Sequence, residues 1–215
     1  MTAPTTDQLV AAWTSRAATR RVGAGDACHR AALRLLADGR PVAPTAIAAA
    51  AGLPVADVEA WLGRMRACGY ELDDHGRLVG AALTLRETGH RFRVRGHDLY
   101  AWCGFDTLFL PILLDEAAEV ASTCPATGRP IELQVAADGT VTHATPSTTV
   151  VAVVGPEVLD ACPTVGPGTP ICDQMPLLAD PDAAHRWATD RDGVAIVALP
   201  AATELARAYV RHSCC

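Results

Sequence analysis

The chain has 215 residues, of which 50% are hydrophobic and 20% charged, with a formal net charge of −6 and eight cysteines. This length corresponds to one or two domains with a substantial core, and the apolar content excludes a disordered chain. Eight cysteines are too few for a secreted disulfide scaffold, and the absence of lysine excludes Schiff-base and Walker-type phosphate chemistry, which use that residue.

The distribution of charge indicates two modules. Residues 1–100 hold 13 arginines against 10 acidic residues, whereas residues 101–215 hold 5 against 14. There is no run of 18 or more apolar residues, which predicts no membrane span. The first residues lack a basic stretch followed by an apolar one, which predicts no secretory signal. We therefore expect a cytoplasmic protein whose thiols are reduced.

The first 95 residues have the pattern of an arm followed by a winged helix. Residues 1–25 indicate an N-terminal arm or short helix, and a helix with Asp26 as a possible N-cap follows, ending by Gly39. We expect the winged-helix-like domain to span residues 26–95.

The helix-turn-helix of this domain is predicted from a short helix capped by Thr45, a tight turn at Gly52 and a second helix. That second helix places four apolar residues on one face, namely Val55, Val58, Leu62 and Met65. A hairpin then follows over residues 70–85, because an acidic turn that contains glycine joins two strand-like runs. Together these elements are typical of a three-helix segment with a wing.

Residues 96–215 predict an α+β domain with an antiparallel sheet. The apolar segment after His97 predicts a short strand and then a helix that ends at or before Pro111. Short alternating or β-branched runs predict four strands, over residues 119–124, 131–136, 140–144 and 148–154. An irregular glycine- and proline-rich loop, a helix, a buried strand and a final helix complete the chain, over residues 165–171, 182–189, 194–199 and 201–212.

Several cysteines favour a structural interpretation. A free cysteine is often a small buried hydrophobe, which is the expectation for Cys28 and Cys68 in the winged-helix-like domain. Cys124 and Cys162 both precede proline, and a structural role is favoured for them also. The adjacent pair at positions 214 and 215 is either an incidental terminus or a pair of thiols that bind a soft metal.

Cys103 and Asp106 form a candidate reactive pair. Residues three apart on a helix share a face, and a thiol in the first turn has its thiolate favoured by the helix dipole. The neighbours of Asp106 are apolar, so burial is expected to raise its pKa, which suits an acid that carries and donates a proton. In the alternative interpretation, Asp106 only caps a helix beside a core cysteine.

Cys172 follows the glycine- and proline-rich loop and stands beside Asp173, and its position alone fits a structural or a functional role equally. The sequence contains no H-x-x-x-H or C-x-x-C spacing, so it does not support a tetrahedral zinc site. It also lacks G-x-S-x-G and a G-x-G-x-x-G between a strand and a helix.

Four segments, in this order, resemble the alkylmercury lyases, also called organomercurial lyases. They are LTLRETGHRF at 83–92, LYAWCGFDTLFLP at 99–111, STCPATGRPIELQV at 122–135, and the Cys172 loop with GVAIVAL at 193–199. The run Leu-Tyr-Ala-Trp-Cys-x-x-Asp-Thr-Leu is the most specific of these. Members of the family also have a winged-helix-like N-terminal region.

The resemblance implies roles for individual residues. Cys103 and Cys172 would bind mercury and Asp106 would transfer the proton, whereas Cys124 would be structural. Cys172 is favoured over Cys162 because the apolar run after it fits better. Familiar members have a second cysteine where Asp173 stands, and that cysteine is not among the essential residues.

The implied activity is protonolysis of the carbon–mercury bond of an organomercurial substrate, giving a hydrocarbon and Hg(II). No cofactor is expected. The Hg(II) would remain on the two thiolates as product and pass to a mercuric reductase, in a step to which the terminal cysteines would contribute. Binding to a specific nucleic acid or to a membrane is not expected.

Two other functions remain open at this stage. A winged helix joined to a cysteine-containing domain is also compatible with a metal-responsive transcriptional regulator, although the second helix carries Asp57 and Glu59 beside Arg64 and Arg66, whereas a DNA reader is normally more basic. A homologue that binds mercury without cleaving the substrate would have the same thiols and differ only in turnover.

Overall fold

The N-terminal part of the chain folds into helices and a small hairpin. The computed structural model describes residues 5–19, 25–161, 166 and 168–213. Within them the second, third and fourth helices pack around apolar residues such as Leu33, Ile47 and Trp61, whereas the first helix packs against the last helix of the chain. The bounds of the first four helices are Thr6–Thr19 (α1), Gly25–Leu36 (α2), Pro44–Ala51 (α3) and Val55–Ala67 (α4).

The predicted helix-turn-helix is confirmed as α3 and α4, joined at Gly52, whose φ of 67° is left-handed and therefore suits glycine. The predicted caps are wrong. Asp26 lies inside the first turn of α2. Helix α3 begins at Pro44 with Ala43 as N-cap, so Thr45 is already helical. Proline takes this first position because the N–H it lacks has no helical partner there.

An antiparallel sheet of eight strands follows, in the order β1-β2-β3-β5-β4-β6-β7-β8. The predicted wing is present as β1 and β2, and three of the four predicted strands of the second domain appear here as β6, β7 and β8. The short strand predicted after His97 is present as β5, whereas β4 and its pairing with β5 were not predicted. The strands are Glu71–Leu72 (β1), Leu78–Ala81 (β2), Leu83–Thr84 (β3), His90–Val94 (β4), His97–Ala101 (β5), Ala118–Thr123 (β6), Pro130–Val135 (β7) and Val141–Thr145 (β8).

The β4–β5 hairpin turns at Arg95 and Gly96, both with positive φ, and pairs Val94 with His97. The expected division of the chain at residues 95 and 96 therefore falls in the turn of one hairpin, and the division itself stays a prediction.

A second antiparallel sheet has the order β10-β9-β11. All five residues of its central strand are buried, which explains a continuous apolar run rather than alternation. The last two helices and β11 match the predicted order. The bounds are Val150–Val154 (β9), Pro156–Ala161 (α6), Pro170–Asp173 (α7), Leu177–Leu178 (β10), Pro181–Ala188 (α8), Val194–Ala198 (β11) and Leu199–Ser213 (α9).

Helix α5, Asp106–Leu114, connects β5 and β6 of the eight-stranded sheet and lies almost wholly inside the core. The prediction that it ends at or before Pro111 is wrong, because the helix continues for three residues beyond that proline. Proline inside a helix costs about 3 kcal/mol, but each large apolar side chain that α5 buries returns ~1.5–3 kcal/mol. Leu113 and Leu114 after the proline are both buried, so packing outweighs the local preference.

Among the described residues, no single helix has both the length and the apolar character needed to cross a membrane. Helices α3 and α4 together reach that length and composition, but they are bent by 115° at the break between them.

Candidate active site

Cys103, Asp106 and Cys172 meet in the interior, with Sγ of each cysteine and a carboxylate oxygen of the aspartate all within 4.8 Å of one another. All three residues are buried. Within the described part of the chain, this is the one group of three or more His, Cys, Asp or Glu residues close enough to hold a metal ion. Both cysteines are free thiols.

Cys103 and Asp106 are joined by reciprocal hydrogen bonds at the start of α5. The backbone N–H of Cys103 donates to Oδ2 of Asp106 at 3.1 Å, and the backbone N–H of Asp106 donates to the sulfur of Cys103. These bonds close the turn just before α5, whose N-cap residue, Phe105, makes no side-chain capping bond. The spacing of three residues therefore brings the two side chains together, although Cys103 precedes the helix rather than sharing its face.

The carboxyl group of Asp106 is poised to exchange a proton near neutral pH. Burial raises its pKa from 3.8 to about 7, even though hydrogen bonds from the thiol and the backbone N–H of Cys103 act in the opposite direction. The predicted direction of this shift is confirmed. A carboxyl group whose pKa lies near the working pH can both accept and donate a proton.

The thiol of Cys103 is protonated in the unliganded protein. Burial raises its pKa well above 9.0, and a hydrogen bond with the thiol of Cys172 and the charge of Asp106 act in the same direction. The expectation that the helix dipole would favour its thiolate is wrong, because desolvation of the sulfur outweighs the single N–H at the start of α5.

Cys172 lies on α7, a single helical turn that begins at Pro170, inside the segment 165–171 predicted to be an irregular loop. The hydroxyl of Thr169 caps this turn by accepting the N–H of Cys172. The backbone N–H of Gly166 donates to the sulfur of Cys172 at 3.1 Å and so favours negative charge on that atom. Asp173 is exposed, and its carboxylate accepts the N–H of Gly168, so it supports the loop before the turn.

Gly104 allows the two cysteine segments to approach each other. Its N–H donates to the carbonyl oxygen of Met175 at 2.8 Å. A Cβ at this position would lie 2.6 Å from the backbone nitrogen of Leu177 and 2.8 Å from the oxygen of Met175, which is closer than real contacts allow. Any side chain here would force the segment after Cys172 away from Cys103.

A small aromatic cavity of about 50 Å³ opens onto Cys172 and Asp106. Although aromatic residues make up only 5% of the chain, five of them meet here, contributed by helices at both ends of the chain and by the segments around Cys103. The aromatic residues that line it are Trp13, Tyr70, Trp102, Phe109 and Tyr209, and His29, Ala81, Ala82, Ile171 and Met175 complete the described lining.

The other cysteines lie apart from the site where the structure describes them. Cys28 is buried in α2 and Cys68 half-buried at the end of α4. Cys124 is buried, but hydrogen bonds from Thr127 and from backbone N–H groups, that of Ala179 among them, outweigh this burial and hold its pKa below 9.0. These bonds tie the turn after β6 to the segment after β10. Cys162, Cys214 and Cys215 lie outside the described residues.

The sequence patterns did not indicate the cavity residues or the roles of Gly104 and Gly166. The cavity draws on α1, α2, α5 and α9, which are far apart in the chain, so no local periodicity connects them. Two signals were present nonetheless: a glycine directly after Cys103, and the scarcity of aromatic residues, which makes each tryptophan and tyrosine notable.

A buried site of two thiols and one carboxyl group, on a scaffold of a helix-turn-helix and an antiparallel sheet, defines a protein that handles a soft metal, because thiolates are the ligands that soft metals prefer. Comparisons with known proteins give the family. The model described as alkylmercury lyase matches residues 83–211, and that described as the helix-turn-helix domain of alkylmercury lyase matches residues 8–82.

Relatives agree with both matches. The alkylmercury lyase of Staphylococcus epidermidis is 37% identical over 178 residues, covering 83% of this chain and 79% of that protein. That of Pseudomonas putida is 39% identical over 171 residues, covering 77% and 74%. The crystal structure of the mercury-bound form of MerB2 has the same fold, with a TM-score of 0.79 and 21% identity, covering 96% of this chain and 99% of that one.

The chain therefore belongs to the alkylmercury lyase family. The expected α+β fold with an N-terminal helix-turn-helix is confirmed, and so is the expectation of an enzyme. A transcriptional regulator is not favoured, because the helix-turn-helix matches the one that alkylmercury lyases carry.

Proposed function

We propose that Cys103, Cys172 and Asp106 carry out the reaction of this family, the protonolysis of the carbon–mercury bond of an organomercurial. The observation that carries this assignment is the meeting of two thiols and a carboxyl group of raised pKa within 4.8 Å. The thiols suit mercury because it is soft, and the carboxyl group suits the proton transfer that the carbon atom requires.

The reaction balances with these three groups. One cysteine thiol binds the mercury atom of R–Hg–X through its sulfur, and X⁻ leaves together with the proton of that thiol, as HX. Asp106 takes the proton of the other thiol, and that sulfur then binds mercury and adds electron density to it. The carbon–mercury bond breaks as Asp106 delivers the proton to carbon. The products are R–H and Hg(II) on two thiolates, and no cofactor takes part in these steps.

The surroundings support this chemistry in two ways. Asp106 is 6% exposed, with Phe105 and Leu108 fully buried beside it, so little water competes for the proton or weakens the electrostatic interactions. The aromatic cavity borders Cys172 and offers an apolar surface to the organic group of the substrate.

The test is the release of hydrocarbon. Purified protein is incubated with phenylmercury and excess small thiol, and benzene is measured in the headspace. We expect steady benzene release that C103A and C172A both abolish, whereas C68A, at a half-buried site outside the cavity, keeps it. Near-normal turnover in either active-site variant would refute the role of that residue. Mercury binding without any benzene would identify a homologue that does not cleave.

We also propose that Hg(II), the product, stays bound to the protein after cleavage. It then passes to a mercuric reductase with help from Cys214 and Cys215. A vicinal pair of thiols suits a soft metal, and α9, which precedes the pair, carries Tyr209 of the cavity wall. Transfer to purified reductase is compared between the intact chain, a chain without residues 213–215 and C214S/C215S. Equal transfer rates in all three would contradict this role.

We further propose a cytoplasmic enzyme without a specific nucleic acid partner. The five free cysteines among the described residues suit a reducing compartment. On α4, the exposed acids Asp57 and Glu59 accompany Arg64 and Arg66, and this mixture is a poor match for phosphates. Specific, salt-dependent binding to DNA in an anisotropy assay would contradict the proposal.

A further inference from the structure

His29 and Tyr70 form a polar pair in the wall of the aromatic cavity. The hydroxyl of Tyr70 is hydrogen-bonded to Nδ1 of His29, and both residues line the same cavity as Cys172 and Asp106. Both are half-buried, which places them between the buried thiols and solvent. The mechanism above gives neither of them a role.

The pair is close to Cys172. Gly166, whose N–H donates to the sulfur of Cys172, packs against the segment of Tyr70: the oxygen of Gly69 lies 3.4 Å from where a Cβ of Gly166 would stand. The ring of Tyr70 meets that of Trp102, next to Cys103, at a centroid distance of 6.2 Å and an angle of 74°. The pair and Cys172 therefore border one cavity, and a ligand bound in that cavity at Cys172 shares it with the pair.

Loading and unloading of mercury by thiols each move a proton. When R–Hg–SR′ reacts with a thiol of the site, the proton of that thiol has to reach the departing R′S⁻, which becomes R′SH. When R′SH later removes Hg(II), its proton must leave, because only the thiolate binds mercury. Asp106 is assigned to the proton transfer to carbon. Among the other described residues of the cavity lining, His29, Tyr70 and Tyr209 are the ones able to exchange a proton.

We propose that the His29–Tyr70 pair accepts and returns the proton of the exchanging thiol, which makes the cavity mouth a binding site for a thiol ligand of mercury. In unloading, the Tyr70 hydroxyl takes the proton of R′SH as its own proton moves to Nδ1 of His29, and the R′S⁻ so formed binds Hg(II). In loading, the same transfer runs in reverse. This inference rests on the lyase activity proposed above, but it concerns steps on either side of bond cleavage.

The experiment compares two ways of presenting the substrate. Phenylmercury acetate without added thiol has a leaving group that needs no proton, and one turnover leaves Hg(II) bound. With excess small thiol, repeated turnover requires that the thiol is displaced from each new substrate molecule and that it removes Hg(II) from the two cysteines. We expect H29Q and Y70F to lose at least ~10-fold more activity in steady turnover with thiol at pH 7 than in the single turnover without it, because general acid–base catalysis contributes up to ~100-fold or more to a rate.

The dependence of the variants' deficit on pH distinguishes proton transfer from a purely structural role, because a structural defect would persist when the pH is raised. As the pH approaches ~8.5, a free thiol ionises without help, so the deficit of the variants should narrow. The controls are H185Q, at an exposed histidine on α8, and Y100F on β5, which should match the wild type throughout. Wild-type turnover in H29Q and Y70F, or an equal loss with and without thiol at every pH, would overturn the proposal. Absence of benzene from the wild-type protein would instead refute the lyase assignment.

Discussion

The backbone N–H of Cys103 donates to the carboxylate of Asp106, and the backbone N–H of Asp106 donates to the sulfur of Cys103. The C-x-x-D spacing thus closes the turn that leads into α5 and holds a thiol beside an acid. These bonds fix the sulfur proposed to bind mercury and the carboxyl group proposed to carry the proton relative to each other, within four consecutive residues of the chain.

The raised pKa of Asp106 predicts that this residue destabilises the protein above neutral pH. With a pKa of about 7 in the folded chain and 3.8 as its ordinary value, the folded state binds more protons between these limits, so stability falls as pH rises through them. The neutral variant D106N should be more stable than the wild type at pH 8, by up to about 4 kcal/mol at 1.36 kcal/mol per pKa unit. The difference should vanish near pH 4.

Urea unfolding at pH 4, 6 and 8 measures this difference. Asp138 provides a control of opposite sign, because hydrogen bonds from Thr140 hold its pKa below the ordinary value. The stabilising contribution of that carboxylate is present above its ordinary pKa and lost as pH falls, so D138N should be the less stable protein at pH 8. A D106N variant no more stable than the wild type at pH 8 would show that Asp106 is not held in a desolvated state.

The same D106N substitution should separate mercury binding from bond cleavage. The two thiols that bind the metal are retained, whereas an amide cannot carry the proton to carbon. We expect protein-bound phenylmercury to accumulate while benzene release falls at least ~100-fold, a typical effect of removing a general acid or base. Mass spectrometry of the intact protein and headspace analysis report the two quantities. Benzene release near the wild-type rate would assign the proton transfer to another group.

Gly104 should be intolerant of even one added methyl group. In G104A, the new Cβ would overlap the backbone of Met175–Leu177, and the resulting shift would separate Cys172 from Cys103. A displacement near 1 Å can lower a rate about 100-fold, so we expect kcat to fall by ~10- to 100-fold with a smaller change in KM. Steady-state kinetics with phenylmercury and thiol provide the measurement.

Gly63 provides the matched control for this substitution. It lies within α4 with no atom within 4 Å of an added Cβ, so G63A should keep full activity and gain roughly 0.5–1 kcal/mol of stability. Unchanged kcat in G104A would mean that the two cysteine segments tolerate a wider separation than their hydrogen bond suggests.

The sequence predicted the parts of the fold that local chemistry determines. The α3–Gly52–α4 turn and the three strands β6, β7 and β8 follow from a left-handed glycine and from period-two alternation. The end of α5 was wrong because Pro111 acts locally whereas burial of Leu113 and Leu114 acts through packing. The environment of Cys103 was likewise set by tertiary contacts, since its burial and its neighbour Cys172 raise a pKa that the helix start alone would lower.

The candidate site also combines residues that local sequence connects with residues that only the tertiary fold brings together. The proximity of Cys103 and Asp106 was expected from their spacing, because one turn of chain connects them, but their functional role was implied only by the family resemblance. Cys172 was indicated by the family resemblance and not by any local pattern, and the cavity was not indicated at all. Its walls come from α1, α2, α5 and α9, so only the assembled fold brings Trp13, His29, Phe109 and Tyr209 together.

The aromatic wall should determine which organic groups the enzyme binds well. Tyr209 on α9 packs against Trp13 at a centroid distance of 5.5 Å and an angle of 87°, and against Phe109 at 5.1 Å and 56°. The side chain of Trp13 is held by its own hydrogen bond to the oxygen of Val154 at 3.1 Å. A phenyl group that enters this cavity meets ring faces and edges already in place, and aromatic pairs contribute ~0.5–1.5 kcal/mol beyond burial.

We therefore expect Y209L to raise the KM for phenylmercury by ~2- to 10-fold, the ratio that corresponds to this energy, and to leave the KM for methylmercury nearly unchanged. Each value is compared with the wild type for the same substrate, so that intrinsic differences between the two carbon–mercury bonds cancel. Y209F keeps the ring and should behave as the wild type with both substrates. Equal changes for phenyl- and methylmercury in Y209L would indicate that Tyr209 supports the fold of the cavity but does not contact the organic group.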